Sequence, residues 1–267
     1  MAMIGRALAN LLLLLVVAVC GCGWQQYESR MQASASYYEY LGRVNTSLSG
    51  HVEEGVSEFG ITFRVPARFR WIEAGQRSRR HPFGRRELPG LLGSWNSFVV
   101  NKETGKEAAG RSRMYLFGNY TQFQQRNEGT SNVNPMEFHE DLVSQLVGAL
   151  GMDSPAEAEW KYEQIPKRGG YVEPKDYTLV ELSRGNTEFR LYLYPARATA
   201  NTEDNDAPAD SEHLQFAFLF EIPANTTSPV KLDTGITHCL EWIQITGAVP
   251  QPLAPGEESG GGGEAGF

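Results

Sequence analysis

The chain has 267 residues, 41% of them hydrophobic and 21% charged, with a formal net charge of −8. That composition suits a soluble globular fold, and a core-forming length of roughly 200 residues buries about 70% of its unfolded surface without disulfide staples. The acidic balance, 24 Lys and Arg against 32 Asp and Glu, argues against nucleic acid as a partner, because the phosphate backbone selects a net positive surface.

Taken in order, the chain starts with a short segment whose one charge is Arg6, followed by ten apolar residues from Leu11 to Cys20. This is the layout of a secretory signal, and ten residues fall short of the roughly 20 that a spanning helix needs. The junction Val19-Cys20-Gly21-Cys22 resembles the lipobox of bacterial lipoproteins, in which a small residue precedes a cysteine that becomes the lipidated N-terminus. Gly21 fits that pattern, whereas Cys20 stands where Ala, Ser or Thr is usual. The resemblance implies a signal peptide over residues 1–21, lipidation at Cys22, and a membrane-anchored protein of the cell envelope facing the periplasm or the exterior. Of the three cysteines, one would then be removed and one lipidated. Cys239 would be left alone, without an intrachain disulfide, and read as a small buried hydrophobe.

Residues 22–50 are expected to hold the lipidated N-terminus and a polar helix. Trp24, Tyr27, Met31, Tyr38, Leu41 and Leu48 recur at steps of three and four or their multiples, with Ser34 and Asn45 in the gaps. That spacing suits a weak coiled-coil seam or a stalk. A single domain is expected over 51–247. Its first strand is Ile61-Thr62-Phe63-Arg64-Val65-Pro66, apolar on alternate residues and closed by a proline that cannot donate to a ladder. An arginine-rich loop follows: between positions 64 and 86 stand eight Arg (64, 68, 70, 77, 79, 80, 85 and 86) against the single acid Glu73.

Short strands are expected at 95–100 and 113–117. The clearest helix comes next, with Asn134 as N-cap, Pro135 and Glu137 in its first turn, and an apolar stripe of Phe138, Leu142, Val143, Leu146, Val147 and Leu150. Gly151 supplies the left-handed stop. Four more strands are expected at 159–165, 176–182, 188–194 and 214–222. The last is apolar on both faces, which marks a central strand covered on both sides. Residues 201–212 carry five acids and no base. A closing helix begins near Asp233 or Thr234, with Ile236, Cys239, Leu240 and Ile243 on its stripe. The Pro, Gly and Glu-rich stretch 248–267 has nothing to bury and reads as disordered.

This order predicts an α+β fold, an antiparallel β-sheet with helices packed on it, preceded by an N-terminal helix. The strand ending Phe63-Arg64-Val65-Pro66, the mid-chain helix and the two late strands running into a C-terminal helix resemble a PsbP/Mog-type domain over roughly residues 58–246. That resemblance implies a helix-flanked antiparallel sheet acting as a non-catalytic assembly or adaptor module.

Chemical signatures are sparse. The five His are scattered, with no His-Glu-x-x-His, no Cys-x-x-Cys, no phosphate loop and no nucleophile elbow, so neither a metal nor another cofactor is expected. His139-Glu140-Asp141 reads as a solvated helix face, because helical neighbours do not face one another. His238-Cys239 fails in the same way, and the acids at 204, 206, 210 and 212 lack the spacing of a calcium loop. The arginines are the functional candidates. Arg68, Arg70, Arg77, Arg79, Arg80, Arg85 and Arg86 present planar forks suited to phosphate or carboxylate, on anionic lipid or an acidic protein. The favoured expectation is a lipid-anchored, non-enzymatic binding or assembly module. The alternatives are a lipid-anchored hydrolase with a site dispersed in sequence, and a stalked oligomerising lipoprotein.

Overall fold

The computed structural model describes residues 2–52, 56–72, 88–101, 103–152, 160–167, 171–196, 212–224, 226–227 and 232–250. Two compact units divide at Thr46 and Ser47.

The first unit consists of the helix α1 (Ala2–Ser47) up to Thr46, and the last helical residue, Ser47, belongs to the second. Trp24, Tyr27, Met31 and Tyr38 of the expected seam are exposed, and Arg43 and Glu39 form an exposed i,i+4 pair at 3.1 Å. The expected seam residue Leu48 is not helical; it opens a strand. No helix among the described residues is long and apolar enough to cross a membrane.

The second unit is α+β. Its strands are β1 (Leu48–Val52), β2 (Ile61–Pro66), β3 (Arg70–Trp71), β4 (Leu91–Asn101), β5 (Glu107–Gly118), β6 (Trp160–Ile165), β7 (Lys175–Arg184), β8 (Thr187–Ala196), β9 (Leu214–Pro223), β10 (Thr226–Thr227) and β11 (Gln244–Ile245). The helices are α2 (Tyr120–Asn127), α3 (Phe138–Leu150) and α4 (Leu232–Glu241). An eight-stranded sheet runs β10-β4-β5-β9-β8-β7-β6, with β3 also on β4, and a three-stranded sheet runs β1-β2-β11. Every pairing is antiparallel.

β9 takes the centre because its apolar residues serve both faces, and Leu214 to Glu221 are all buried. One face carries Ala217 and Leu219, with Tyr115 and Phe117 of β5 and Leu191 and Leu193 of β8, under the stripe Phe138, Leu142, Leu146 and Leu150 of α3. Each such side chain, fully buried, contributes about 1.5–3 kcal/mol. α3 starts as its sequence dictates: Asn134 Oδ1 accepts from the Met136 backbone N–H at 3.1 Å, and a 3-10 turn at Pro135–Glu137 leads into the helix. Gly151 ends it at φ 63°.

The other face carries Phe216, Phe218 and Phe220, and the small sheet covers it. Phe63 of β2 meets Trp95 and Phe218 edge-on, with ring centroids 5.4 and 5.8 Å apart. α4 lies beside β2, where Gly235 permits the approach: a Cβ there would stand 3.0 Å from Pro66 Cβ. Its last turn would leave carbonyls without helical partners. Tyr177 OH donates to the Leu240 carbonyl at 2.7 Å, and Lys175 Nζ to the Glu241 carbonyl at 2.8 Å. The closing helix ends at Glu241, so Ile243 of its expected stripe lies beyond it, although it is buried all the same.

Several expected elements change length. The segment read as loop from residue 68 contains β3, and β4 and β5 both begin earlier than their apolar alternation indicated. The expected disordered stretch falls almost wholly outside the described residues.

Candidate functional site

Beyond α4 the chain turns into β11 and then crosses the start of β2. Gly60, at φ 67°, comes so close to Gly247 that an added Cβ would lie 2.1 Å from the Gly247 Cα. The Gly60 carbonyl accepts from the N–H groups of Thr246 and Gly247 at 2.7 and 3.0 Å. This crossing pins residues 241–249 opposite the adjoining ends of β7, β8 and β9, and a cleft of about 910 Å³ opens between them.

Tyr194, Ala196 and Leu214 line one wall, and Trp242, Ile243 and Ile245 the other. The Tyr194 ring packs against Tyr177 at 5.1 Å between centroids. Glu173, Lys175, Glu212 and His213 supply polar groups. Burial lowers the Lys175 pKa below the usual lysine value, and Glu173 and Glu241 offset part of that effect. Burial likewise raises the Tyr194 phenol, assisted by Glu173 and Asp176. Glu212 is gripped by both terminal nitrogens of Arg126, at 2.6 and 2.9 Å, and the hydrogen bond holds its carboxyl below the usual range. β11 is the outer strand of its sheet. A short sheet edge thus runs along one wall, and the partly exposed rings of Tyr194 and Trp242 line the cleft.

Among the described residues, Glu212 is the one candidate weighed for chemistry from sequence that lines the cleft. Arg68 and Arg70 flank the loop-to-strand passage into β3, and both are exposed. Arg77, Arg79, Arg80, Arg85 and Arg86 lie outside the described residues. Cys22 falls within the span of α1. Cys239 is fully buried, and burial pushes its thiol pKa far up, so it is a packing residue. His139 Nε2 donates to the Phe216 carbonyl at 3.0 Å, which corrects its reading as part of a solvated face. His238 Nδ1 sits 2.5 Å from Ser47 Oγ, turned away from any shared chemistry with its neighbour Cys239. Of the acids at 204, 206, 210 and 212, Glu212 alone is among the described residues. No group of three or more His, Cys, Asp or Glu residues is arranged to hold a metal ion among the described residues.

Sequence reasoning missed the cleft because its walls come from separate stretches of the chain, within residues 172–196, 212–214 and 241–249. The one local signal was Trp242 next to Ile243 and Ile245, apolar residues continuing past the end of a helix. Compared with protein-family models, curated proteins and solved structures, the chain matches none of them.

Proposed function

We propose that the chain is a lipid-anchored protein of the cell envelope that acts as a non-enzymatic binding or assembly module, with the cleft beside β11 as its binding site. The cleft is the observation that carries this reading. Its walls combine the partly exposed Tyr194, Trp242 and Ile245 with polar groups that can fix a ligand's orientation. Its strongest polar groups already serve the fold: Lys175 ties down the end of α4, and Glu212 holds Arg126. A nucleophile needs a base within hydrogen-bond reach, and Lys175 directs its ammonium to a backbone carbonyl instead. An outer strand beside such walls suits an extended peptide, which adds main-chain hydrogen bonds and fills alternate side-chain positions. The anchor rests on the Leu11–Cys22 sequence, and a bilayer is accordingly the first partner.

The test is site-specific photocrosslinking in intact cells. A photoreactive side chain at Gln244, exposed on the cleft wall, is expected to give a discrete adduct. The same group at Tyr162, exposed on the outer strand β6, serves as control and is expected to give none. Equal labelling from both positions, or none from Gln244, removes the cleft as the binding site.

A further inference from the structure

On the sheet face that α3 covers further along, β3, β4 and β5 carry two rows of side chains in register. The first row is Arg70, Asn96 and Arg113. The second, two residues along and so about 7 Å away, pairs Phe98 with Arg111. The Arg68 guanidinium lies over the Phe98 ring, 5.5 Å from its centroid. Asn96 Oδ1 accepts from Arg111 Nη1 at 3.1 Å, which steadies that guanidinium without neutralising it. Arg113 is neutralised by Glu221 at 2.7 Å. Arg68, Arg70 and Arg111 are exposed and form no ion pair among the described residues. Three guanidinium groups without an ion pair among the described residues thus share one patch of a chain whose net charge is −8.

The geometry points to this array as a docking surface for the phosphate headgroups of an anionic bilayer. Guanidinium forks meet phosphate oxygens two at a time, and a sheet face fixes their spacing. Trp71, on the opposite face of β3, is 40% exposed beside Trp95, at 5.0 Å between ring centroids. Trp71 therefore lies off the array, which rests on its guanidinium groups alone. The inference rests on the lipid-anchored reading, which brings a bilayer within reach, and a basic patch adds a second attachment to a lipid anchor.

The test uses the full chain with Cys22→Ser, so that no lipid is attached. Partition is measured onto phosphatidylcholine vesicles with and without phosphatidylglycerol. Any contribution from the apolar N-terminal stretch appears on both, so their ratio reports the array. Three arginines are expected to favour the anionic vesicles by roughly a hundredfold at low salt, and the ratio is expected to fall as salt rises. Arg68→Gln, Arg70→Gln and Arg111→Gln together should bring the ratio close to one, and the corresponding Lys changes should keep most of it. Equal partition of the parent chain overturns the inference. So does a salt-insensitive preference, which decides the matter should the Gln variant fail to fold. Concentration-dependent self-association that the Gln changes abolish would give the array to a second copy's acidic surface instead. Because the assay runs without lipid on Cys22, its failure leaves the anchor reading standing.

Discussion

His139 turns its ring onto the sheet backbone, where the Phe216 carbonyl accepts a hydrogen bond from its Nε2–H and its own backbone N–H donates to Gln215 Oε1 at 3.2 Å. Burial lowers its pKa to about 4; the Phe216 hydrogen bond opposes this and His213 adds to it slightly. Between pH 6.5 and about 4 the unfolded chain therefore binds a proton that the folded chain refuses. The stability belonging to the neutral ring is present above the unfolded pKa and is lost as pH falls through that window, on the order of 3 kcal/mol. Denaturant melts of the parent and of His139→Gln, compared across this window, should show a shallower loss of stability in the variant. Identical slopes would mean that the ring stays accessible to solvent. The sequence around His139 held no sign of this, because a helical stripe reports which side faces the core and not which carbonyl waits there. Arg68 was equally opaque: nothing local announces its φ of 70°, unusual for a residue with a Cβ, or the Phe98 ring over which its guanidinium lies.

α3 and β9 were legible at the scale of elements because each carries its packing instructions locally. α3 has a capping Asn, a proline in the first turn, one apolar stripe and a terminal glycine, and β9 is apolar on both faces. β3, β10 and β11 have two residues each, too few for any alternation, and exist only through their partners. α2, with the sequence YTQFQQRN, has too little apolar surface to announce a helix. β5 was found only from Arg113 onward, which hid Arg111, one of the three arginines of the array. The join between α4 and β7 is another feature made wholly in three dimensions. Tyr177→Phe removes the donor to the Leu240 carbonyl while keeping the ring, and should cost about 1–2 kcal/mol, read as a lower melting temperature. A neutral effect would mean that packing and the Lys175 contact hold the end of α4 without the Tyr177 hydroxyl.

The whole molecule combines a long helix as one compact unit with an α+β unit that offers a cleft and an arginine array. Its α+β class was readable from the order of periodic segments, since consecutive hairpins with few helices lead to an antiparallel sheet. The cleft was not, because it forms where the Gly60–Gly247 crossing brings distant segments together. Both proposed roles rest on the proposed anchor, which would bring a bilayer and envelope partners within reach. Two or more acyl chains at ~0.8 kcal/mol per buried methylene make such a tether effectively stable. The intact mass of the protein extracted from membranes is therefore the most direct measurement. It should correspond to a chain beginning at Cys22 and carrying thioether-linked and acyl lipid, with Cys22→Ser accumulating as an unmodified precursor. A chain that retains residues 1–21 without lipid, or a Cys22→Ser variant processed like the parent, would contradict the account.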